Sequence, residues 1–244
     1  MQINVGDHWV GELPLPLGAF STVHLDTLIT AWIAMGIVII LALITTKNLN
    51  RVPSKFQVVA EGLMNFIDNI SVSQMGKEEG IKHTPLVGSL FLFIVAANLL
   101  NNVPFKLIHL QNGEFASPTN DLNVTVALAV LVSIYYFAVG IRKKGVSYFK
   151  HYLKPFPLLA PLNLLEDITR PVSLSVRLFG NILAGEVIMG VLIVFLFLFP
   201  ILIPFTEVLL VVMVMFELFI AVIQAFIFAI LAASYVAAAT DESH

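Results

Sequence analysis

No cysteine occurs anywhere in the sequence, so disulfides and thiolate metal sites are ruled out. Charge is nearly as scarce: 12% of the 244 residues are charged against 58% hydrophobic. A chain of that make-up, with a mean hydropathy of +0.92, has too little polar surface for water and belongs in lipid. The six histidines, at 8, 24, 83, 109, 151 and 244, include no pair at helical ligand spacing, and no HExxH occurs. No metal site and no cofactor are therefore expected. A GxxxxGK[ST] phosphate loop is also missing, so the chain is not expected to hold a nucleotide or to be an enzyme by itself. No Lys or Arg precedes Lys47, which removes the basic region of a cleaved secretory signal, and the first apolar run is expected to be retained.

Apolar runs occur at 26–44, 86–105, 122–141, 172–199 and 201–238. Each is long enough to cross a hydrocarbon layer of ~30 Å as a helix. The runs are continuous and do not alternate with period two, which argues against a barrel. The fold class is an all-α integral membrane protein of five transmembrane helices, a single membrane domain over 1–244. Eleven of the thirteen Lys and Arg residues fall in segments 45–85 and 142–170, one (Lys106) lies on the opposite side, and Arg177 lies within a span. The positive-inside rule then places the N-terminus outside and the C-terminus in the cytoplasm or its equivalent.

Segment 1–23, with Pro14, Pro16 and Gly18, is an external arm. Over 53–76, Phe56, Val59, Leu63, Phe66, Ile67 and Ile70 recur at helical spacing with polar residues on the other faces. That pattern fits a helix on the membrane interface, and fits equally a helix packed on its own protein. Asn98, Asn101 and Asn102 near the end of the second span either tie helices together or line a wet cavity. His109, in the loop beyond, either accepts protons at an external mouth or is simply solvated.

The last two spans differ from the rest. A helix opening at Pro171 and one opening at Ile201 or Phe205 run for about 43 Å and 51 Å at 1.5 Å per residue, against the ~30 Å of a perpendicular crossing. With the turn between Pro200 and Pro204 too short to part them, segment 171–238 reads as a tilted antiparallel hairpin. It contains Arg177, Glu186, Glu207 and Glu217, with Asn181 and Gln224. An arginine at a helix centre costs roughly 2.5–3.5 kcal/mol on translocon scales. It therefore snorkels to an interface or meets a polar partner. Depth in an antiparallel hairpin places Arg177 level with Gln224, and Glu186 level with Glu217. Two carboxyls at one depth in a low dielectric do not both ionise, which suits proton transfer. Guanidinium keeps its proton, so Arg177 can hold a carboxylate ionised but cannot relay a proton. Ser173, Gly180, Asn181 and Ala184 around it are small or polar, which suits either a neighbouring subunit or close packing within one bundle.

Two long stretches carry a family resemblance. PVSLSVRLFGNILAGE, Pro171 to Glu186, and AVIQAFIFAILAASY, Ala221 to Tyr235, resemble the signatures of subunit a of the F-type rotary ATP synthases. VPFKLIHL at 103–110 and SPTNDLNVTVALA at 117–129 are most similar to the cyanobacterial and plastid branch. The resemblance implies a proton-translocating stator subunit in an energy-transducing membrane, a bacterial inner membrane or a thylakoid. It implies two offset half-channels against an oligomeric ring of c subunits, with peripheral-stalk b subunits as further partners and the F1 sector coupled indirectly. By the same resemblance Arg177 separates the half-channels and pairs with the ring carboxylate. Asn181 and Gln224 match polar residues near it, and Glu186 an acidic position of the external half-channel. Glu217 stands where relatives vary. Three rival functions fit less well. A secondary transporter calls for inverted repeats or broken helices, an intramembrane hydrolase calls for a nucleophile with a base, and a purely structural subunit leaves the buried charges unexplained.

Overall fold

The structure is a computed structural model. It describes residues 10–12, 22–47, 53–102, 117–145, 148, 158, 160–199, 201 and 203–240. Five helices dominate: α1 (Leu25–Lys47), α2 (Lys55–Asn101), α3 (Leu122–Lys144), α4 (Ala160–Leu198) and α5 (Ile203–Thr240), with a 3₁₀ turn at Pro118–Asn120 ahead of α3. All five are long and apolar enough to cross a membrane. One addition to the all-α expectation lies in the arm, where β1 (Val10–Glu12) and β2 (Thr22–His24) pair antiparallel, Val10 opposite His24.

α2 contains a sharp corner. Gly76 has φ +76° and ψ 171°, a region essentially closed to residues with a Cβ. Immediately beyond it, Gly80 lies against the preceding turn. A Cβ there would stand 2.7 Å from the Val72 Cα and 2.9 Å from its nitrogen. The helix foreseen over 53–76 thus begins at Lys55 and ends at the corner, and a second helix continues to Asn101. Along the first part Phe56, Val59, Leu63 and Phe66 are exposed, while Gln57, Ile67, Ile70 and Ser71 are buried. Gln57 is capped within the helix by the Glu61 carboxylate, which accepts from its amide at 2.7 Å.

α4 differs from the sequence expectation at its start. Pro171 does not open the helix but sits inside it, eleven residues after Ala160. Proline removes one backbone donor there, yet the turn before it is held by side chains at helical spacing. Arg170 bonds Glu166 at 2.7 Å and Asp167 at 3.1 Å, and its guanidinium lies over the Tyr235 ring, 5.2 Å from the centroid. The 39 and 38 residues of α4 and α5 correspond to about 58 Å and 57 Å.

Contacts divide the chain into two units. In the first, residues 1–41, 93–121 and 179–224, Ala34 of α1 packs on Ala97 and Leu100 of α2. In the second, residues 42–92, 122–178 and 225–244, Tyr136 meets Tyr235 edge-on at 6.1 Å and Phe66 meets Phe91 and Phe226, each at 5.8 Å. Ala225, Ala229 and Ala233 of α5 are completely buried at four-residue spacing, and such small residues let helix backbones approach closely in lipid. Large apolar side chains point outward on every helix, among them Trp32, Ile134, Val176 and Met215. In lipid that exposure carries no hydrophobic penalty.

Replacing Gly76 by Ala should lower stability in detergent by about 1–3 kcal/mol, read as a fall in the thermal unfolding midpoint, and Gly80→Val should do the same by steric conflict with Val72. Gly62, an exposed helix position with open space around its Cβ, is the control. Gly62→Ala should be neutral or stabilising by up to about 1 kcal/mol.

Candidate functional site

Ser173, Arg177, Asn181 and Ala184 follow one another at three- and four-residue spacing on α4, and all four are exposed. The Arg177 guanidinium makes one long bond, Nη2 to the Ser173 hydroxyl at 3.4 Å. Among the described residues no carboxylate pairs with it. A permanent cation thus stands on an outward face of α4, with Ser173 and Asn181 as its polar neighbours on that face.

Beyond Arg177, α4 and α5 run antiparallel. Asn181 donates from Nδ2 to the Gln224 Oε1 at 2.7 Å, and one turn further Gly185 lies against Glu217, whose Oε1 would be 2.9 Å from a Cβ built there. The register supplies two facings that equal depth left open. The amide partner of Gln224 is Asn181, one turn beyond Arg177. The residue facing Glu217 is Gly185, and Glu186 is turned aside. Equal depth left the azimuth open, and neighbouring residues on a helix point about 100° apart.

The two glutamates accordingly have different amide donors. Glu186, buried, accepts from Asn120 Nδ2 at 2.8 Å. Glu217, half-buried, accepts from Asn101 Nδ2 at 2.9 Å. Asn98, completely buried, donates to the Ala221 carbonyl at 3.2 Å. Asn98 and Asn101 therefore tie α2 to α5, one of the two roles foreseen for them. Glu207, ten residues before Glu217 on α5, is exposed and takes no part. His109 and Lys106 lie outside the described residues.

Asn120 and His24 were not singled out from the sequence. The 3₁₀ turn that presents Asn120 is pinned by Ser117, whose hydroxyl donates to the Ala97 carbonyl at 2.8 Å and contacts Thr119 Oγ1 at 3.0 Å. Next in the chain, Asp121 bonds His24 Nδ1 at 2.7 Å. The Ser-Pro-Thr-Asn-Asp run marks a turn, but the partners are 66 and 97 residues away. Nothing local signals them.

Between α4 and α5 lies a pocket of about 140 Å³, reached by Asn181, Glu217 and Gly185 and otherwise walled by Ile188, Met189, Met213, Phe216 and Ile220. That space is large enough for several waters beside a carboxylate and an amide. A carboxyl with water on one side and an amide donor on the other can take up and release a proton; an amide can only orient it.

Comparison with known proteins gives a consistent picture. A family model described as ATP synthase A chain matches residues 28–237. The chain is 42% identical, over all of its own length and 94% of the other, to the chloroplastic ATP synthase subunit a of Stigeoclonium helveticum.

The Asn181–Gln224 bond is testable by a double-mutant cycle. Asn181→Ala and Gln224→Ala, alone and combined, should show a coupling of about 0.6 kcal/mol and no more than about 2 kcal/mol in detergent unfolding. Strict additivity would mean that the bond contributes nothing.

Proposed function

We propose a mechanism from one premise: the chain belongs to the ATP synthase A chain family, the proton-translocating stator subunits of the membrane sector, CF(0). It is thus a multi-pass protein of an energy-transducing membrane and works in proton transport for ATP synthesis, in a complex with other ATP synthase subunits. Its part in that complex is to guide protons, and nucleotide chemistry belongs to other subunits.

The observation that carries the mechanism is the exposed Arg177, with no carboxylate paired to it among the described residues. Leaving an arginine in a membrane helix costs roughly 2.5–3.5 kcal/mol. A carboxylate 4 Å away returns about 4 kcal/mol at an effective dielectric of about 20. A counter-ion from a neighbouring subunit is therefore enough to keep Arg177 in place, and the carboxylate of the c ring is the one the family resemblance favours. The face built of Ser173, Asn181 and Ala184 is small enough for a ring helix to approach.

A proton enters from the outside, the side of the N-terminus, through Glu186 and Glu217 and the water-sized pocket beside Asn181. It neutralises a ring carboxylate, which then loses its attraction to Arg177 and moves into lipid as the ring turns. After a near-complete revolution the carboxyl reaches the second half-channel, loses its proton toward the cytoplasm and returns to Arg177. Because guanidinium does not release its proton and repels a passing one, it stops direct leakage between the half-channels. Asn181 and Gln224, paired with each other, supply amides to the proton path. The α4–α5 hairpin, far longer than ~30 Å, is tilted against the ring. The α2 segment up to Gly76 lies at the cytoplasmic interface with Phe56, Val59 and Phe66 in lipid, and peripheral-stalk b subunits hold the whole against rotation while the F1 sector is driven indirectly.

In vesicles containing the intact complex, Arg177→Ala should abolish proton-driven ATP synthesis with subunit content unchanged, and should admit a passive proton leak. Normal coupled synthesis would sink the mechanism. Glu186→Gln should slow proton pumping at normal subunit content, whereas pumping unchanged across the pH range would remove Glu186 from the path.

A further inference from the structure

A second concentration of charge lies away from Arg177, at the basic end of α3. Glu79, Lys82 and His83 of α2, Tyr135, Ala138, Val139, Arg142 and Lys143 of α3, and Thr240 of α5 enclose a cleft of about 630 Å³. Among the described residues that line it, three permanent cations, Lys82, Arg142 and Lys143, accompany one carboxylate. Glu79 is already shared, 3.2 Å from Lys82 Nζ and 3.6 Å from Lys143 Nζ. Arg142 is exposed and has no ion pair among the described residues. Lys82, despite its bond to Glu79, keeps 65% of its side chain exposed. His83 and Tyr135 form the floor through a 2.8 Å bond between Nδ1 and the phenol oxygen.

The surface leading to this cleft is apolar. Leu131, Ile134, Ala138 and Arg142 recur at three- and four-residue spacing on α3, and all are exposed. One outward stripe thus runs along the membrane-crossing part of the helix and ends on a guanidinium. An elongated apolar chain lying on Leu131 and Ile134 brings an anionic group at its end to Arg142, Lys82 and Lys143. Guanidinium binds a phosphodiester through two parallel N–H donors, and tyrosine at the same level suits a membrane–water boundary. We propose that this cleft is a binding site for the anionic headgroup of a membrane phospholipid, whose acyl chain lies along the outer stripe of α3. The excess of positive charge selects the anion, and the adjoining stripe selects a lipid over free phosphate. Basic pockets between transmembrane helices are suited to such headgroups in general.

The test uses the intact complex in phosphatidylcholine vesicles with increasing photoactivatable phosphatidylglycerol, labelled residues being mapped by mass spectrometry. Label should fall on α3 between Leu131 and Lys143, with saturation. Arg142→Gln and Lys82→Gln should each raise the half-saturating content about fivefold. Arg142→Lys, which keeps the charge but loses the two parallel donors, should raise it less than Arg142→Gln. Glu79→Gln, which removes the competing carboxylate, should lower it. Excess inorganic phosphate should not displace the lipid. Unchanged labelling in both glutamine variants overturns the proposal. So does equal displacement by inorganic phosphate, which would mark a free-anion site, and so does a crosslinker at position 142 that captures a protein chain in place of lipid. The readout does not involve proton flow, so it stands or falls apart from the role of Arg177.

Discussion

Hydrocarbon offers a polar group no water, and every carboxylate, amide and backbone donor that enters it must be satisfied by the protein or left at a cost of several kcal/mol. Helices remove the backbone from this account. The few polar side chains left inside then dictate how the helices are joined. Asn98 reaches the Ala221 carbonyl, Asn101 reaches Glu217, Asn120 reaches Glu186, and Asn181 reaches Gln224. Each bond links different elements. The contacts that satisfy the carboxyls are therefore also contacts that set helix register.

Asparagine and glutamine suit this work because they are neutral. A cation beside Glu186 or Glu217 would bring a permanent charge of its own into the apolar interior, whereas an amide donates without one. Arg177 is the counterexample: its charge is permanent, its only bond in the described chain is a weak one to Ser173, and it faces outward. Glu186, a carboxyl of the proposed proton path, and Arg177, a group that keeps its proton, are thus separated along one helix. Glu186 lies nine residues from Arg177 on α4, roughly 13 Å along the axis.

Chain corners show the same economy of means. Gly76 turns α2 through a conformation available to glycine, and Gly80 lets Val72 approach at backbone distance. The Arg170 ion pairs hold α4 continuous across Pro171. Proline alone signalled a helix start at that position. The ion pairs at i−3 and i−4 just before it, visible in the same stretch of residues, favour continuation by a few tenths of a kcal/mol each. Packing in the tertiary structure has to offset the rest of the proline's cost.

The sequence by itself determined the number of membrane helices and the antiparallel α4–α5 hairpin, since these follow from apolar run length and a short turn, but not the start of α4. It also singled out Arg177, Glu186, Glu217, Asn181 and Gln224, because charge and amides are rare enough in such helices to stand out. Only the tertiary structure decided which of them meet. Depth is linear in residue number, at 1.5 Å per residue, but azimuth advances about 100° each step. A shift of one position therefore leaves depth almost unchanged while turning Glu186 away and bringing Gly185 against Glu217. His24, Asn120 and the cleft around Arg142 were beyond reach for a related reason. Their partners come from elements far apart in the chain, and no local pattern encodes a contact that packing alone creates.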